Sequence, residues 1–401
     1  MSAIPEGYDV VVVGGGIHGV GVLQAAAAAG WSAALIEERA LASGTSSRSS
    51  KLIHGGLRYL ESRQFALVRE SLAERRILLA IAPELVRLVP FHIPVYRTTR
   101  RRPWQVRSGL ALYSLLGGLG RSSHFRSLPR REWEALDGLA TEGLERVYRY
   151  YDGQTDDAAL VRAVARSAEE LGAHIACPAR FERARRVEAG WEVELAQDGE
   201  RRTWQARTLV NAGGPWINLV RERMDPRPPG LEIDLVGGTH LELEARLERG
   251  IYYAEAPRDG RAVFFMPWKE RLLVGTTETP YRGDPRLVRP LSEELEYLGE
   301  TLRAYFPKLE ARLVEAWAGL RVLPHGEGAA FHRQRETTLV RDDEERPRTI
   351  AIYGGKLTGY RATAAKVEAL LARTLPSAPR KADTSTLRIA DKPLATIRVS
   401  P

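Results

Sequence analysis

The segment from Tyr8 to Glu37 constrains the fold more than any other part of the chain. Tyr8 to Val13 is a β-branched run that suits a strand buried on both faces. Gly14 to Gly19 satisfies G-x-G-x-x-G, and the alanine-rich stretch Val20 to Ala29 predicts a helix. A second apolar strand, Ser32 to Ile36, then runs into an acidic residue. This order of strand, glycines, helix, strand and acid predicts an α/β fold with a doubly wound, dinucleotide-binding domain.

Each element of this motif has a physical role in the predicted site. Gly14 permits a tight turn, Gly16 lets a pyrophosphate approach the backbone, and Gly19 lets the helix pack on the strand. The helix N-terminus offers unpaired N–H groups and the positive end of its dipole to phosphates. Glu37 lies at the spacing expected for a carboxylate that accepts hydrogen bonds from a ribose. The predicted cofactor contacts of this segment are Gly14, Gly16, Ile17, His18, Gly19, Glu37 and Glu38.

The next segment favours FAD over NAD. Residues 43–58 read Ser-Gly-Thr-Ser-Ser-Arg-Ser-Ser-Lys-Leu-Ile-His-Gly-Gly-Leu-Arg. Small hydroxyl residues at this density form helices poorly, but they supply many short donors to a pyrophosphate and to the edge of a flavin. An NAD dehydrogenase has no need of such a segment. The candidate cofactor residues here are Thr45, Ser46, Ser47, Ser49, Ser50, Lys51, Leu52, His54 and Gly55.

Two further glycine loops follow apolar strands later in the chain. The first is Asn-Ala-Gly-Gly-Pro-Trp at 211–216, and the second is Gly-Gly-Lys-Leu-Thr at 354–358, which follows a strand at 349–353 and opens a helix at about 360–375. That helix N-terminus would stabilise negative charge on a reduced flavin. Three glycine approaches spread along the chain imply one extended cofactor in one composite domain. The candidate contacts are Ala212, Gly213, Trp216, Gly355, Lys356, Leu357 and Thr358.

Between these loops the pattern predicts the rest of the nucleotide-binding sheet. A helix is expected at about 157–171 and a strand near Ile175. Two apolar runs flank Asp198-Gly199, which is a typical hairpin turn. The last strand of this group leads into the 211–216 loop.

These motifs resemble those of the aerobic, FAD-dependent glycerol-3-phosphate dehydrogenase family. The similarity is carried, in order, by residues 46–61, 211–216, 275–278, 319–324 and 354–361, and it extends from about residue 7 to about residue 375. The resemblance implies a flavin domain beside a substrate domain built on an antiparallel sheet. The expected sheet strands are 235–244, 251–255, 262–268 and 271–276. The expected division is 1–80, 145–220 and 340–376 for FAD, 81–144 and 221–339 for substrate, and 377–401 as a tail.

The resemblance also implies the reaction. The family oxidises C2 of sn-glycerol 3-phosphate to dihydroxyacetone phosphate, passing hydride to flavin N5 and then electrons to a membrane quinone or to oxygen. The implied catalytic residues are His54, Arg321 and Lys356, with Arg58, Tyr59, His240, Arg335 and Thr358 also binding substrate. Guanidinium groups suit bidentate contact with phosphate. His54 is the first candidate for proton handling and His240 the second, while structural roles for both histidines and for the cations stay open.

Two departures from the family pattern leave alternatives open. Family members usually continue into a C-terminal helical domain, for which the 376–401 tail is too short, and this chain has Pro-His-Gly-Glu-Gly at 324–328 where acidic residues are common. One alternative is a related FAD oxidase that uses oxygen on another hydroxy or amino acid. The other is a flavin-binding paralogue without turnover.

The composition and charge of the chain limit its possible partners and its cellular location. The net charge of +8 and pI of about 9.6 favour anionic partners without choosing among them. The single cysteine, Cys177, excludes a disulfide framework and a cysteine metal cluster and fits a reducing compartment. The sequence has no secretory signal pattern, no long apolar run, and no metal-ligand cluster. We expect a cytoplasmic enzyme that binds no nucleic acid, placed at the inner membrane if a quinone is its acceptor; a homodimer stays open.

The segment at 100–121 is both basic and apolar, and two structural interpretations fit it. Arg100-Arg101-Arg102 and Trp104 precede a Leu/Tyr-rich stretch at 109–120. Such a segment suits a membrane interface, as quinone reduction would require. A buried helix beneath a basic surface fits the same residues.

Overall fold

The computed structural model describes residues 7–118, 120, 123–326 and 337–390, and two β-sheets organise this part of the chain. The strands of the first sheet are β1 (Gly7–Val13), β2 (Ala33–Ile36), β7 (His174–Ala176), β8 (Arg180–Val187), β9 (Gly190–Gln197), β10 (Glu200–Asn211), β11 (Met224–Asp225), β18 (Thr338–Arg341) and β19 (Thr349–Tyr353). The strands of the second are β3 (Leu52–Ile53), β4 (Val86–Tyr96), β5 (Arg126–Ser127), β6 (Leu144–Thr155), β12 (Ile233–Glu244), β13 (Ile251–Glu255), β14 (Ala262–Trp268), β15 (Arg271–Gly275), β16 (Thr279–Tyr281) and β17 (Arg312–Pro324). The helices are α1 (Ile17–Ala28), α2 (Phe65–Ile81), α3 (Pro103–Leu116), α4 (Asp157–Glu170), α5 (Ile217–Glu222), α6 (Ser292–Tyr305) and α7 (Tyr360–Leu371).

The first sheet brings the three glycine loops to one edge. Its centre is β1, which runs parallel to β2 on one side and to β10 on the other, and β10 also pairs in parallel with β19. Parallel strands end at the same edge of a sheet, so the loops after β1, β10 and β19 meet there. Helices α1, α4 and α7 pack together through Leu23, Val161 and Val367 in one apolar core. The predicted α/β, Rossmann-type fold is confirmed.

The second sheet is larger than the sequence predicted. The strands expected at 235–244, 251–255, 262–268 and 271–276 are present, and β12 pairs with β17 along its whole length. Strands β4 and β6 extend the sheet, with Val86 opposite Thr155 and Tyr96 opposite Leu144. The expected domain division put residues from 145 onward with the FAD part, whereas β6 pairs within the second sheet until Thr155. Asp152-Gly153 within β6 is a pair typical of hairpin turns, yet the strand continues through it because both residues pair with β4.

The predicted local elements of the first sheet are present. Helix α4, strand β7 and the β9–β10 hairpin around Asp198-Gly199 lie where the pattern placed them. Within the described residues, none of the helices combines the length and the apolar character needed to cross a bilayer.

Candidate active site

A cavity of about 520 Å³ lies between the two sheets. The loops after β1 and β10 form one end of it, β12, β17 and the 276–278 loop line the other, and the loop after β19 contributes to both. The cavity is lined by nineteen of the predicted cofactor residues: Gly14, Gly16, Ile17, His18, Glu37, Glu38, Thr45, Ser46, Ser49, Ser50, Leu52, His54, Ala212, Gly213, Trp216, Gly355, Lys356, Leu357 and Thr358.

The glycines at the first end leave no room for side chains. Gly14 has φ +112°, and a Cβ placed on it would lie 2.5 Å from the carbonyl oxygen of Ala212. A Cβ on Gly19 would lie 1.9 Å from the carbonyl oxygen of Gly14. The backbone can pack this closely, and bend this way, only without side chains. The result is a cradle made of main chain, open toward the N-terminus of α1.

The N-terminus of α1 is held by the serine-rich loop. The Ser46 hydroxyl accepts a hydrogen bond from the Ile17 N–H at 3.0 Å. Further along the same loop, the Thr45 hydroxyl donates to the carbonyl oxygen of Leu320 at 2.7 Å. The loop therefore ties the dinucleotide-binding end to β17 of the second sheet.

Glu37 lies at the end of β2, as the spacing predicts. Its carboxylate accepts hydrogen bonds from the N–H of Gly15 at 2.7 Å and from the N–H of Arg39 at 3.0 Å. These two bonds fix the carboxylate against the glycine loop while it lines the cavity. Its contact with a ribose stays a prediction.

His18 links the first glycine loop to the last. Both of its ring nitrogens are buried, and a Cβ on Gly355 would lie 2.1 Å from Nε2. Burial lowers the pKa of His18 to about 4, so the ring is neutral. Neither ring nitrogen has a hydrogen-bond partner within the described part of the chain. A neutral imidazole with buried polar atoms at a cavity wall fits a site that a polar cofactor completes.

Four predicted cofactor residues do not line the cavity: Gly19, Ser47, Lys51 and Gly55. Gly19 contributes through packing alone. The buried Lys51 ammonium donates to Asp157 at 2.6 Å and to the carbonyl oxygen of Ser47 at 2.5 Å, which anchors the serine-rich loop to α4. The Lys51 side chain thus supports the loop and does not line the cavity. Sequence could not show this, because Asp157 lies on a distant helix.

A cluster of charged groups lines the other end, and we call Arg58, Tyr59, Glu278, Arg321 and Lys356 the substrate-side cluster. Arg321 pairs with the Glu278 carboxylate and donates to the carbonyl oxygen of Thr277 at 2.8 Å. The Arg58 guanidinium lies 3.6 Å from the same carboxylate. The Lys356 ammonium lies 3.7 Å from the centre of the Tyr59 ring. The structure therefore brings four predicted substrate residues together.

Two histidines line the cavity in different surroundings. His54 lies beside Thr358, whose hydroxyl accepts a hydrogen bond from the backbone N–H of His54 at 3.1 Å. The fully buried His240 bonds through Nε2 to the Ser50 hydroxyl at 3.0 Å and stacks on Trp317. Burial, helped by the charges of Lys51 and Arg321, lowers the pKa of His240 to about 3. His240 is thus a neutral hydrogen-bonding group and a poor base.

Some residues that line the cavity were not predicted from the sequence. Glu278 is the main omission: it belongs to the Gly-Thr-Thr-Glu stretch that carried the resemblance, and an acid after a strand was the available signal. Gly15, Ser43 and Arg261 also line the cavity. Arg335 lies outside the described residues.

Comparisons with known proteins also indicate an FAD-binding oxidoreductase. Residues 9–363 match the model of the FAD dependent oxidoreductase family. The chain is 40% identical to a glycerol-3-phosphate dehydrogenase of Pseudomonas aeruginosa over 90% of this chain and 70% of that protein. It is 36% identical to the D-erythritol 1-phosphate dehydrogenase of Brucella abortus, over 90% of this chain and 72% of that one.

A solved structure has the same architecture. The glycerol-3-phosphate dehydrogenase from Bacillus halodurans, solved in complex with FAD, superposes with a TM-score of 0.74 at 26% identity, covering 95% of this chain and 67% of that one. The cofactor of this chain is FAD, and the main-chain cradle, the His18 nitrogens and Glu37 fit it. This protein belongs to the FAD-dependent oxidoreductases and, among them, to the group that includes the glycerol-3-phosphate dehydrogenases.

Proposed function

We propose that this protein oxidises the C2 hydroxyl of sn-glycerol 3-phosphate to the ketone of dihydroxyacetone phosphate, using FAD and then a membrane quinone as electron acceptor. The substrate-side cluster is the observation that supports this choice of substrate. Its three cations and one carboxylate leave a net charge of +2 at one end of the cavity. A phosphate monoester carries about −1.5 to −2 at neutral pH, so its charge matches the cluster.

The cluster suits a phosphate in geometry as well as in charge. Arg321 is held by Glu278 and Thr277, so its guanidinium is oriented before substrate arrives. A pre-oriented guanidinium loses little freedom when it binds two phosphate oxygens. Lys356, held over Tyr59, supplies a point charge from the loop that opens α7. Together they fix one end of the substrate and leave its hydroxyl toward the histidines.

Proton handling is assigned to His54. Oxidation of the C2 hydroxyl requires a group that accepts the hydroxyl proton, and bound FAD supplies the hydride acceptor. His240 has a strongly lowered pKa, which disfavours it as the base, whereas its neutral ring is suited to hydrogen-bond the substrate. His54 lines the same cavity, and its backbone N–H is held by the Thr358 hydroxyl.

Anaerobic reduction of the bound flavin tests the substrate directly. We expect glycerol 3-phosphate to bleach the flavin absorption, and glycerol at equal concentration to do so far more slowly. D-Erythritol 1-phosphate, which shares a phosphate and hydroxyl groups with it, is the informative competitor. Faster reduction by an amino acid such as glycine, or by an unphosphorylated hydroxy acid, would refute the substrate assignment.

The outer face of α3 supports a membrane-bound acceptor. Trp104 and Leu115 are 68% and 60% exposed, while Val106, Leu110 and Tyr113 face inward. Exposed arginines, including Arg100, Arg102 and Arg107, surround this face. An apolar ridge with basic flanks suits the interface of an anionic membrane, and the cytoplasmic face of the inner membrane is the proposed location.

Vesicle binding tests this location. The holoenzyme should co-sediment with anionic vesicles and be released by high salt. The double variant Trp104→Ser, Leu115→Ser should bind less, whereas Leu287→Ser, at a residue 62% exposed elsewhere on the surface, should bind like wild type. Equal loss in both variants, or no binding to anionic vesicles, would contradict the assignment of α3.

A further inference from the structure

The inner face of α3 reaches the loop that carries His54. Tyr113 is 2% exposed, and its hydroxyl oxygen accepts a hydrogen bond from the N–H of Gly55 at 2.8 Å. The contact is tightly packed, because a Cβ on Gly55 would lie 2.5 Å from that oxygen and 2.6 Å from Leu72. A helix on the surface of the molecule therefore touches the backbone one residue beyond a cavity histidine.

The direction of this hydrogen bond is fixed by a buried charge. The Tyr113 hydroxyl donates to the Asp152 carboxylate at 2.6 Å, and Asp152 is paired with the buried Arg75. An ionised carboxylate only accepts, so the single proton of Tyr113 points to Asp152. The lone pairs of the tyrosine then face the Gly55 N–H. Burial and the Asp152 charge raise the pKa of Tyr113 well above its usual range, so the hydroxyl keeps its proton.

The other side of the same peptide is held from the cofactor end. The carbonyl oxygen of His54 accepts a hydrogen bond from the Thr358 hydroxyl at 3.3 Å. That carbonyl and the Gly55 N–H belong to one planar peptide group. Thr358 thus holds one edge of the plane, and the Tyr113 hydroxyl holds the other together with the Asp152 carboxylate, which the Gly55 N–H also approaches. The backbone at His54 is left little freedom to rotate.

We propose that Tyr113 is a positioning residue for His54. Its hydroxyl fixes the peptide that follows the histidine, and thereby the direction in which the imidazole enters the cavity. The proposal rests on the proposed function in that His54 accepts the substrate proton. Tyr113 itself touches neither the cavity nor a bound substrate, since it is absent from the cavity lining.

Tyr113→Phe is the direct test, and Tyr148→Phe is its matched control. Both changes remove one hydroxyl from a buried tyrosine that anchors α3. The Tyr148 hydroxyl donates to the carbonyl oxygen of Pro103 at 3.0 Å, at the start of the helix. A general loosening of α3 would appear in both variants, whereas misplacement of His54 would appear only in Tyr113→Phe.

The first readout is single-turnover reduction of the bound flavin by glycerol 3-phosphate without oxygen. We expect Tyr113→Phe to slow it by roughly tenfold or more, because small misplacements of a reacting group are costly. In a His54→Gln background the same change should alter the rate by less than about twofold, because coupled residues are non-additive. An equal slowing in both backgrounds, or an equal slowing by Tyr148→Phe, would overturn the proposal.

The second readout needs no turnover. Hydrogen exchange of the Gly55 amide in the holoenzyme should be slow in wild type and Tyr148→Phe, and faster by about tenfold or more in Tyr113→Phe. Fast exchange at Gly55 in wild type would overturn the proposal even if the phenylalanine variant did not fold. If the flavin were not reduced by glycerol 3-phosphate at all, the proposed function would fail while this measurement still decided the Tyr113 contact.

Discussion

The two ends of the cavity are built in different ways. The dinucleotide-binding end is made of main chain, where glycines such as Gly14 and Gly19 pack at distances that exclude a Cβ. The substrate-side cluster is made of charged side chains such as Arg321 and Lys356, brought together from separate elements. The first end is specified by local backbone shape and the second by a balance of charge. They should therefore fail in different ways when mutated.

The largest effect is expected at Gly19. In Gly19→Ala the new methyl group meets the Gly14 carbonyl oxygen, so α1 must move and the cradle is lost. We expect a loss of more than about 4 kcal/mol in the free energy of unfolding, together with loss of bound FAD. Chemical denaturation and flavin content measure both.

Gly109→Ala is the control for this change. Gly109 lies in α3, and a Cβ there would meet nothing within 4 Å. Alanine is favoured over glycine inside a helix, so this variant should gain about 0.5–1 kcal/mol. If Gly19→Ala retained FAD and unfolded at the wild-type denaturant concentration, the claim that the backbone specifies this end would be wrong.

The next effect should fall on catalysis alone. Arg321→Ala or Lys356→Met should cost roughly 2–5 kcal/mol in kcat/KM for glycerol 3-phosphate, because a buried phosphate loses a charged partner. The slow turnover of glycerol should hardly change. Arg312→Ala, on the same strand β17 but 76% exposed, should remain within about 0.5 kcal/mol of wild type. Equal damage to both substrates would mean that these cations serve the flavin or the fold.

A smaller effect is expected at Glu37. Glu37→Ala should weaken FAD binding by about 1–2 kcal/mol, on the scale of the net contribution of one hydrogen bond. Glu37→Gln keeps an acceptor and removes the charge, so its loss should be intermediate. Titration of the apoprotein with FAD measures both affinities. Unchanged binding in the alanine variant would remove Glu37 from the site.

The last effect concerns pH and should be similar at the two ends. His18 and His240 have pKa values lowered to about 4 and about 3, so both stay neutral in the folded protein. In the unfolded chain a histidine takes up a proton below about 6.5. As the pH is lowered below about 6.5, the free energy of unfolding should therefore decrease, by up to about 1.4 kcal/mol per pH unit for each ring. Between pH 7 and 5, His18→Asn and His240→Asn should each reduce this slope; an unchanged slope in both would assign it to other groups.

The sequence predicted the main-chain end of the cavity better than the charged end. Glycine loops after apolar strands are local patterns, so Gly14, Gly213 and Gly355 could be placed without knowing the fold. Arg58, Arg321 and Lys356 were implied by a family resemblance and not by any spacing. Glu278 was missed, because only the fold shows an acid meeting both arginines.

Other features depend on pairing between remote residues. Lys51 meets Asp157 across 106 positions of chain, and Gly55 meets Tyr113 across 58. Strand β6 joins the second sheet through its long pairing with β4, which continues across Asp152-Gly153 although that pair is typical of a turn. Sequence patterns describe the neighbourhood of each residue, whereas these contacts are decided by how the sheets and helices pack.

The residues that form the cavity walls lie far apart along the sequence, and this has a consequence for biosynthesis. The first glycine loop leaves the ribosome early, yet β1 gains its neighbour β10 only after residue 211, and the last wall is completed at Thr358. Because chains emerge and begin to fold from the N-terminus, the first glycine loop is made before both of the loops that complete its cradle. Loading of the flavin therefore requires synthesis at least as far as Thr358, and a ribosome stalled before the 354–358 loop would carry a chain that cannot yet close around its cofactor.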